Sequence, residues 1–186
     1  MAQETQSADL VACLPPSGTF TLTPGNATGY DGPPVSLVLN LCEGNSSAGA
    51  LVQLWDDRQN EHNHWRFASY GGNMSFSMQS VASGLFLSVP NGNSALGARP
   101  SLFALPTAVD GSFAWQLRQF PGRTTFVLEN CATHTFLNVA GGRLHYGNKV
   151  HMWDNPDSPD SQWSVEAVCP PSTGSKRKAE VLDVED

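Results

Sequence analysis

The chain of 186 residues is poor in positive charge: it holds three lysines, and only Lys149 precedes residue 176. With a formal net charge of −7, the body would be repelled by phosphate backbones, which argues against nucleic acid as a partner. No apolar run approaches membrane-spanning length, so insertion into a bilayer is not expected. Residues Met1 to Asp9 lack the basic start and apolar stretch of a secretory signal, which points to a cytoplasmic location. The sequons at Asn26, Asn45 and Asn73 then carry weight only if the chain is exported by another route. The four cysteines, Cys13, Cys42, Cys131 and Cys169, form no Cys-x-x-Cys pair and read as reduced, buried thiols. Cys13 and Cys169 are each followed closely by Pro-Pro and bracket the body, so a bridge between them stays open.

The usual marks of catalysis are missing as well. There is no Gly-x-Ser-x-Gly, no Gly-rich phosphate loop and no His-Glu-x-x-His. Cys131 and His134 are close in sequence without an orienting third group. No catalytic residue, no cofactor and no enzyme activity is expected.

What the chain does contain is one signature three times. A Leu-polar-Leu/Val triplet is followed by an aromatic residue fifteen positions after its centre, and then by a closing Trp. The triplet centres are Asn40, Ser88 and Asn138, spaced by 48 and 50 residues. The aromatics Trp55, Phe103 and Trp153 repeat that 48 and 50, while Trp65, Trp115 and Trp163 are 50 and 48 apart. A fixed period of this length marks a stacked or pseudo-symmetric architecture.

Between these landmarks run short alternating segments bounded by Gly, Asn, Pro or Asp, the rhythm of an all-β domain. Four strands per unit give about twelve, and no amphipathic helix is found. Phe76 leads Ser88 by twelve residues and Phe126 leads Asn138 by twelve, but Phe20 leads Asn40 by twenty. The excess falls on the Pro- and Gly-rich stretch from Pro24 to Pro34, which reads as a surface insertion. The expected organisation is a flexible arm over 1–17, a domain over 18–169 in units of about 18–68, 69–118 and 119–169, and a disordered tail over 170–186. The cluster Lys176, Arg177, Lys178 in that tail leaves nuclear entry open but is more often a solvated run.

The stretch from Leu39 to Trp55, and its counterpart from Val150 through Trp163, resemble the repeat of ricin-B-type lectins. That family folds as a β-trefoil of three four-stranded units, and the likeness here spans about Gly18 to Val168. Small cytosolic fungal lectins are the most similar members. The family's Gln-x-Trp is replaced by Asn63-x-Trp65, Phe113-x-Trp115 and Ser161-x-Trp163, so each Trp is kept and each Gln is not. The resemblance implies a core role for the three closing tryptophans.

It also implies where a sugar would bind. The triplet centre takes two hydroxyls, the residue thirteen later assists, and the aromatic two further on stacks against the sugar's C–H face. Unit one then supplies Asn40, Gln53 and Trp55, with His62 and Asn63 near the closing Trp; unit three supplies Asn138, His151, Trp153 and Asp160. Unit two offers only Ser88, Ser101, Phe103 and Ser112, with Phe113 in the amide position, and reads as a dead site. Asparagine at the two live centres lacks the charge assistance of the family's aspartate, so weak binding, roughly millimolar to micromolar per site, is expected.

The leading expectation is therefore a lectin with one or two shallow sites, recognising terminal galactose or N-acetylgalactosamine on glycoconjugates, with a defensive role. A homodimer is compatible with the sequence. Bland readings stand beside this one: Asn40 and Asn138 as turn-capping residues, Trp55 and Trp153 as packing groups. Other functions are a β-trefoil protease inhibitor acting through residues 24–34, or an interaction scaffold that has lost sugar binding. His62-x-His64 among carboxylates is a weak metal motif, since no further ligand follows at a suitable spacing.

Overall fold

The computed structural model describes the backbone of 11–13 and, with side chains, residues 18–25, 37–56 and 58–168. Most of the insertion between Pro24 and Pro34, together with Cys169 and the tail, lies outside the described residues, as does the Cys13 side chain. Whether Cys13 and Cys169 pair therefore lies outside them too. Cys42 and Cys131 are free thiols.

Twelve strands fall four to a unit. Unit one holds β2 (Thr19–Pro24), β3 (Val38–Leu41), β4 (Ala50–Trp55) and β5 (Trp65–Ser69). Unit two holds β6 (Phe76–Ser80), β7 (Phe86–Ser88), β8 (Ser101–Phe103) and β9 (Trp115–Gln119). Unit three holds β10 (Val127–Asn130), β11 (Phe136–Val139), β12 (Val150–Trp153) and β13 (Trp163–Ala167). A further strand, β1 (Val11–Cys13), pairs antiparallel with β9, Val11 opposite Gln119 and Cys13 opposite Leu117. This corrects the expectation of a flexible arm over 1–17: at least these three residues are docked. They take up the part of β9 that β6 leaves unpaired, since β6 meets β9 only at Phe76 and Trp115.

The first and last strands of each unit close a ring. β2 pairs with β5, β5 with β6, β6 with β9, and β9 with β10. A bridge between Phe126 and Trp163 leads to β13, and β13 returns to β2 over five residue pairs. Closure of this kind leaves the barrel without an open edge. Inside, Trp65, Trp115 and Trp163 are wholly buried. Each indole N–H donates to the first carbonyl of its own unit's triplet: Leu39 at 3.0 Å, Leu87 at 2.9 Å and Leu137 at 2.8 Å. The rings fill the core while their one polar atom is satisfied, which is the condition for burying tryptophan at low cost. The core role implied for these three residues is what the structure shows.

The middle strands form hairpins, β3–β4, β7–β8 and β11–β12. A cyclic exchange ties them together. The N–H of Gly49 donates to Leu102 O at 2.7 Å, that of Gly97 to Met152 O at 2.9 Å, and that of Gly147 to Leu54 O at 2.8 Å. These glycines sit at φ of +85°, +85° and +74°, which a side chain would strain. Each unit thus lays its loop beside the third strand of a neighbour. The three glycines follow the same spacing of 48 and 50 as the triplet centres.

Candidate functional site

The hairpin register explains the spacing of the candidate residues. In β3–β4, Asn40 faces Gln53 and Val38 faces Trp55; in β11–β12, Asn138 faces His151 and Phe136 faces Trp153. Residues directly opposite, and residues two apart on one strand, share a face. The triplet centre, the position thirteen later and the aromatic fifteen later therefore stand together on the outer face of one hairpin. The inner face carries Leu39, Leu41, Val52 and Leu54, all wholly buried. Asn40 and Asn138 are mid-strand residues and cap no turn, so the bland reading of them does not hold.

In unit one the side chains form a directed chain of hydrogen bonds. Asn40 Nδ2 donates to Asn63 Oδ1 at 2.7 Å, Gln53 Nε2 donates to Asn40 Oδ1 at 3.2 Å, and Cys42 Sγ donates to Gln53 Oε1 at 3.2 Å. Both ends of the Asn40 amide are held, and each end keeps one further hydrogen or lone pair. That is the arrangement a pair of vicinal hydroxyls requires. Asn63 is wholly buried and supports Asn40 from beneath. The Cys42 thiol is kept protonated, its pKa raised by burial first and by Glu43 second, against the opposing charge of Arg99.

The one-turn 3₁₀ segment Glu61–Asn63 brings His62 and Asn63 to the hairpin. It begins where the Asn60 side chain accepts the His62 N–H at 3.0 Å, a local turn that Asn forms readily. The His62 ring lies where a Cβ on Gly44 would come within 2.7 Å of its Cε1, so the close approach requires glycine there. A cleft of about 480 Å³ results, lined by Asn40, Gln53, Trp55, His62 and Asn63, and also by Glu43, Asp56 and Asn60. Those last three were not singled out from the sequence. Trp55 stands at its edge, 42% exposed.

Unit three repeats the design with different atoms. Asn138 Nδ2 donates to Ser161 Oγ at 3.0 Å. Asn138 Oδ1 can only accept, so the contact of 2.8 Å with His151 Nε2 puts the proton on that nitrogen. The His151 ring then stacks on Trp153, centroids 5.3 Å apart and planes 10° from parallel. Its pKa is held below the ordinary histidine value, chiefly by burial and secondarily by the charge of Arg99. Asp160 lies over Gly142, where a Cβ would fall 2.7 and 2.8 Å from the carboxylate oxygens, and burial raises its pKa. Ser161 fills the place of Asn63. Its signal was positional, two residues before the closing Trp, and too common a residue type to stand out.

In unit two, Ser88 and Ser112 face each other at 3.4 Å in a depression of about 310 Å³ beside Phe103 and Phe113. The hydroxyls are short and engage one another.

The remaining motifs resolve into structural contacts. His64 turns away from His62, and its Nε2 donates to Arg58 O at 2.8 Å. His134 has a partner the sequence did not reveal: its Nδ1 meets Glu129 Oε1 at 2.9 Å, and Arg118 Nε holds the other oxygen of this buried carboxylate at 2.7 Å. Burial first and the Glu129 charge second raise the pKa of the Cys131 thiol, the opposite of what a nucleophile needs. No helix among the described residues is long and apolar enough to cross a membrane.

Known proteins with this geometry are β-trefoils. The chain is similar to the designed three-fold symmetric protein ThreeFoil, with a TM-score of 0.70 and 18% identity over 82% of this chain and 100% of that one. It is similar to the Rhizoctonia solani agglutinin, TM-score 0.68 and 16% identity, over 84% of this chain and 99% of that one. The Macrolepiota procera ricin B-like lectin, solved in complex with lactose, gives a TM-score of 0.66 and 19% identity over 84% of this chain and 100% of that one. At such identities the likeness establishes the fold. A search among curated proteins by sequence gave no match. Residues 34–103 match the family model described as ricin-type beta-trefoil lectin domain-like. The chain is thus a β-trefoil in which residues 34–103 resemble the ricin-type lectin domain.

Proposed function

We propose that the protein is a non-enzymatic carbohydrate-binding lectin that takes terminal galactose or N-acetylgalactosamine on glycoconjugates through unit one and unit three. One observation carries this reading: an asparagine amide held from both sides stands beside a half-exposed tryptophan on the same hairpin face, and this occurs twice. Asn40 and Asn138 would each chelate two hydroxyls; Trp55 and Trp153 would cover the apolar face of the ring. Gln53 and His151 orient the amides, and His62 and Asp160 close the far rim. Unit two lacks a comparable donor and acceptor pair. Single-site affinity would be weak, and display of two sites on one molecule would raise binding to a glycan-coated surface.

A glycan array probed with the wild type and with a Trp55→Ala/Trp153→Ala double variant tests this. Both rings are exposed and outside the core, so the variant should fold normally and lose the array signal. Selective binding that survives in the variant, or a folded wild type that binds no glycan, overturns the reading.

A further inference from the structure

The unit-one site is not completed by unit one. The glycine exchange places the loop Leu144 to Lys149 of unit three along the end of β4, with Gly147 N–H on Leu54 O and Leu54 N–H on Asn148 O, 2.8 and 2.9 Å. Tyr146 consequently lies beside Trp55, ring centroids 5.3 Å apart and planes inclined by 57°. Its hydroxyl donates to Asp56 Oδ2 at 2.9 Å, and Asp56 lines the cleft. Two large rings stay 42% and 47% exposed side by side, an arrangement that leaves apolar area in water unless a ligand covers it. The corresponding residues before Gly97 and Gly49 are Leu96 and Ala48. Among the described residues, only the unit-one site receives an aromatic residue from its neighbour.

We propose that unit one binds a glycan of at least two pyranose residues, with the terminal sugar at Asn40 and Trp55 and the next one against Tyr146. Two inclined rings offer two stacking surfaces to two sugar rings that are themselves inclined across a glycosidic bond. Asp56, fixed by the tyrosine hydroxyl through one oxygen, keeps its other oxygen as an acceptor at the junction. Tyr146 is thus a specificity-determining residue for chain length. This inference rests on the lectin reading of unit one.

The experiment uses the full chain with Trp153→Ala throughout, so that unit three is silent. Calorimetric titration compares galactose and N-acetylgalactosamine with lactose and N-acetyllactosamine. The disaccharides should bind about five- to ten-fold more tightly, the worth of one aromatic stacking contact. Adding Tyr146→Ala should remove that ratio while leaving monosaccharide affinity within about two-fold, since the terminal-sugar contacts are untouched. Tyr146→Phe should retain most of the ratio because the ring persists. A ratio unchanged by Tyr146→Ala, or absent from the start, overturns the inference and leaves the lectin reading standing. No binding of any of the four sugars, or monosaccharide affinity indifferent to Trp55→Ala, overturns both for this unit. Fluorescence of the three buried tryptophans reports that each variant is folded.

Discussion

At the scale of single residues, the site depends on amides whose two ends are fixed by different neighbours. Asn40 and Asn138 were legible in the sequence through the family resemblance, and the hairpin register supplies the physical reason, since it converts spacings of thirteen and fifteen into one shared face. Tyr146 and Asp56 were not, since one arrives from another unit and the other sits in a run of polar residues that reads as loop. His151 shows how such a site responds to pH. Its folded pKa lies below the ordinary value of about 6.5, so the unfolded chain binds the proton more readily. The stability it contributes is full above about 6.5 and is lost as pH falls from there to the folded value. Urea unfolding midpoints of the wild type should therefore drop more between pH 7.5 and pH 5 than those of His151→Gln. Equal drops would show that the imidazole is not coupled to folding.

At the scale of elements, the sequence marks the twelve repeating strands because Phe-x-Leu/Met and Leu-polar-Leu/Val segments alternate between turn residues. It does not mark β1. Val11-Ala12-Cys13 is three residues long, sits in a short apolar run from Leu10 to Leu14 that stops at Pro15-Pro16, and has no counterpart in the other units. Only the gap beside β9 gives it a partner. Removing residues 1–13 should leave the ring and the hairpins intact but return that edge of β9 to solvent. Amide hydrogen exchange should accelerate by about ten-fold or more across Leu117 to Gln119, with protection in β11 and β12 unchanged. Protection unchanged at β9 would mean the pairing contributes nothing in solution.

At the scale of the molecule, three tryptophans at equivalent depth and a cyclic exchange of hydrogen bonds make the units mutually dependent. None has a hydrophobic face buried by its own strands alone, so unfolding should be a single event. In the Trp55→Ala/Trp153→Ala variant only the buried tryptophans remain to emit, and their fluorescence transition in urea should coincide with that of far-ultraviolet circular dichroism. Separated midpoints would show a unit melting on its own. The period near 50 disclosed this architecture before any strand was placed. The ligand class was legible only through resemblance, because Asn in place of Asp and the absence of the family's Gln weaken the usual marks of a sugar site.

The seam of the barrel has a consequence for how the chain can be threaded. β13 runs along β2 for five residue pairs, and Val168 N–H reaches Thr19 O at 2.8 Å, so the two ends of the domain lie side by side. The junction between unit three and unit one is built like the junctions between units one and two and between two and three. A chain rejoined across Thr19 and Val168 and reopened in the turn between β5 and β6 would close the same ring from a different starting point. The order in which the three units are read is thus a property of the polypeptide, and the barrel is indifferent to it.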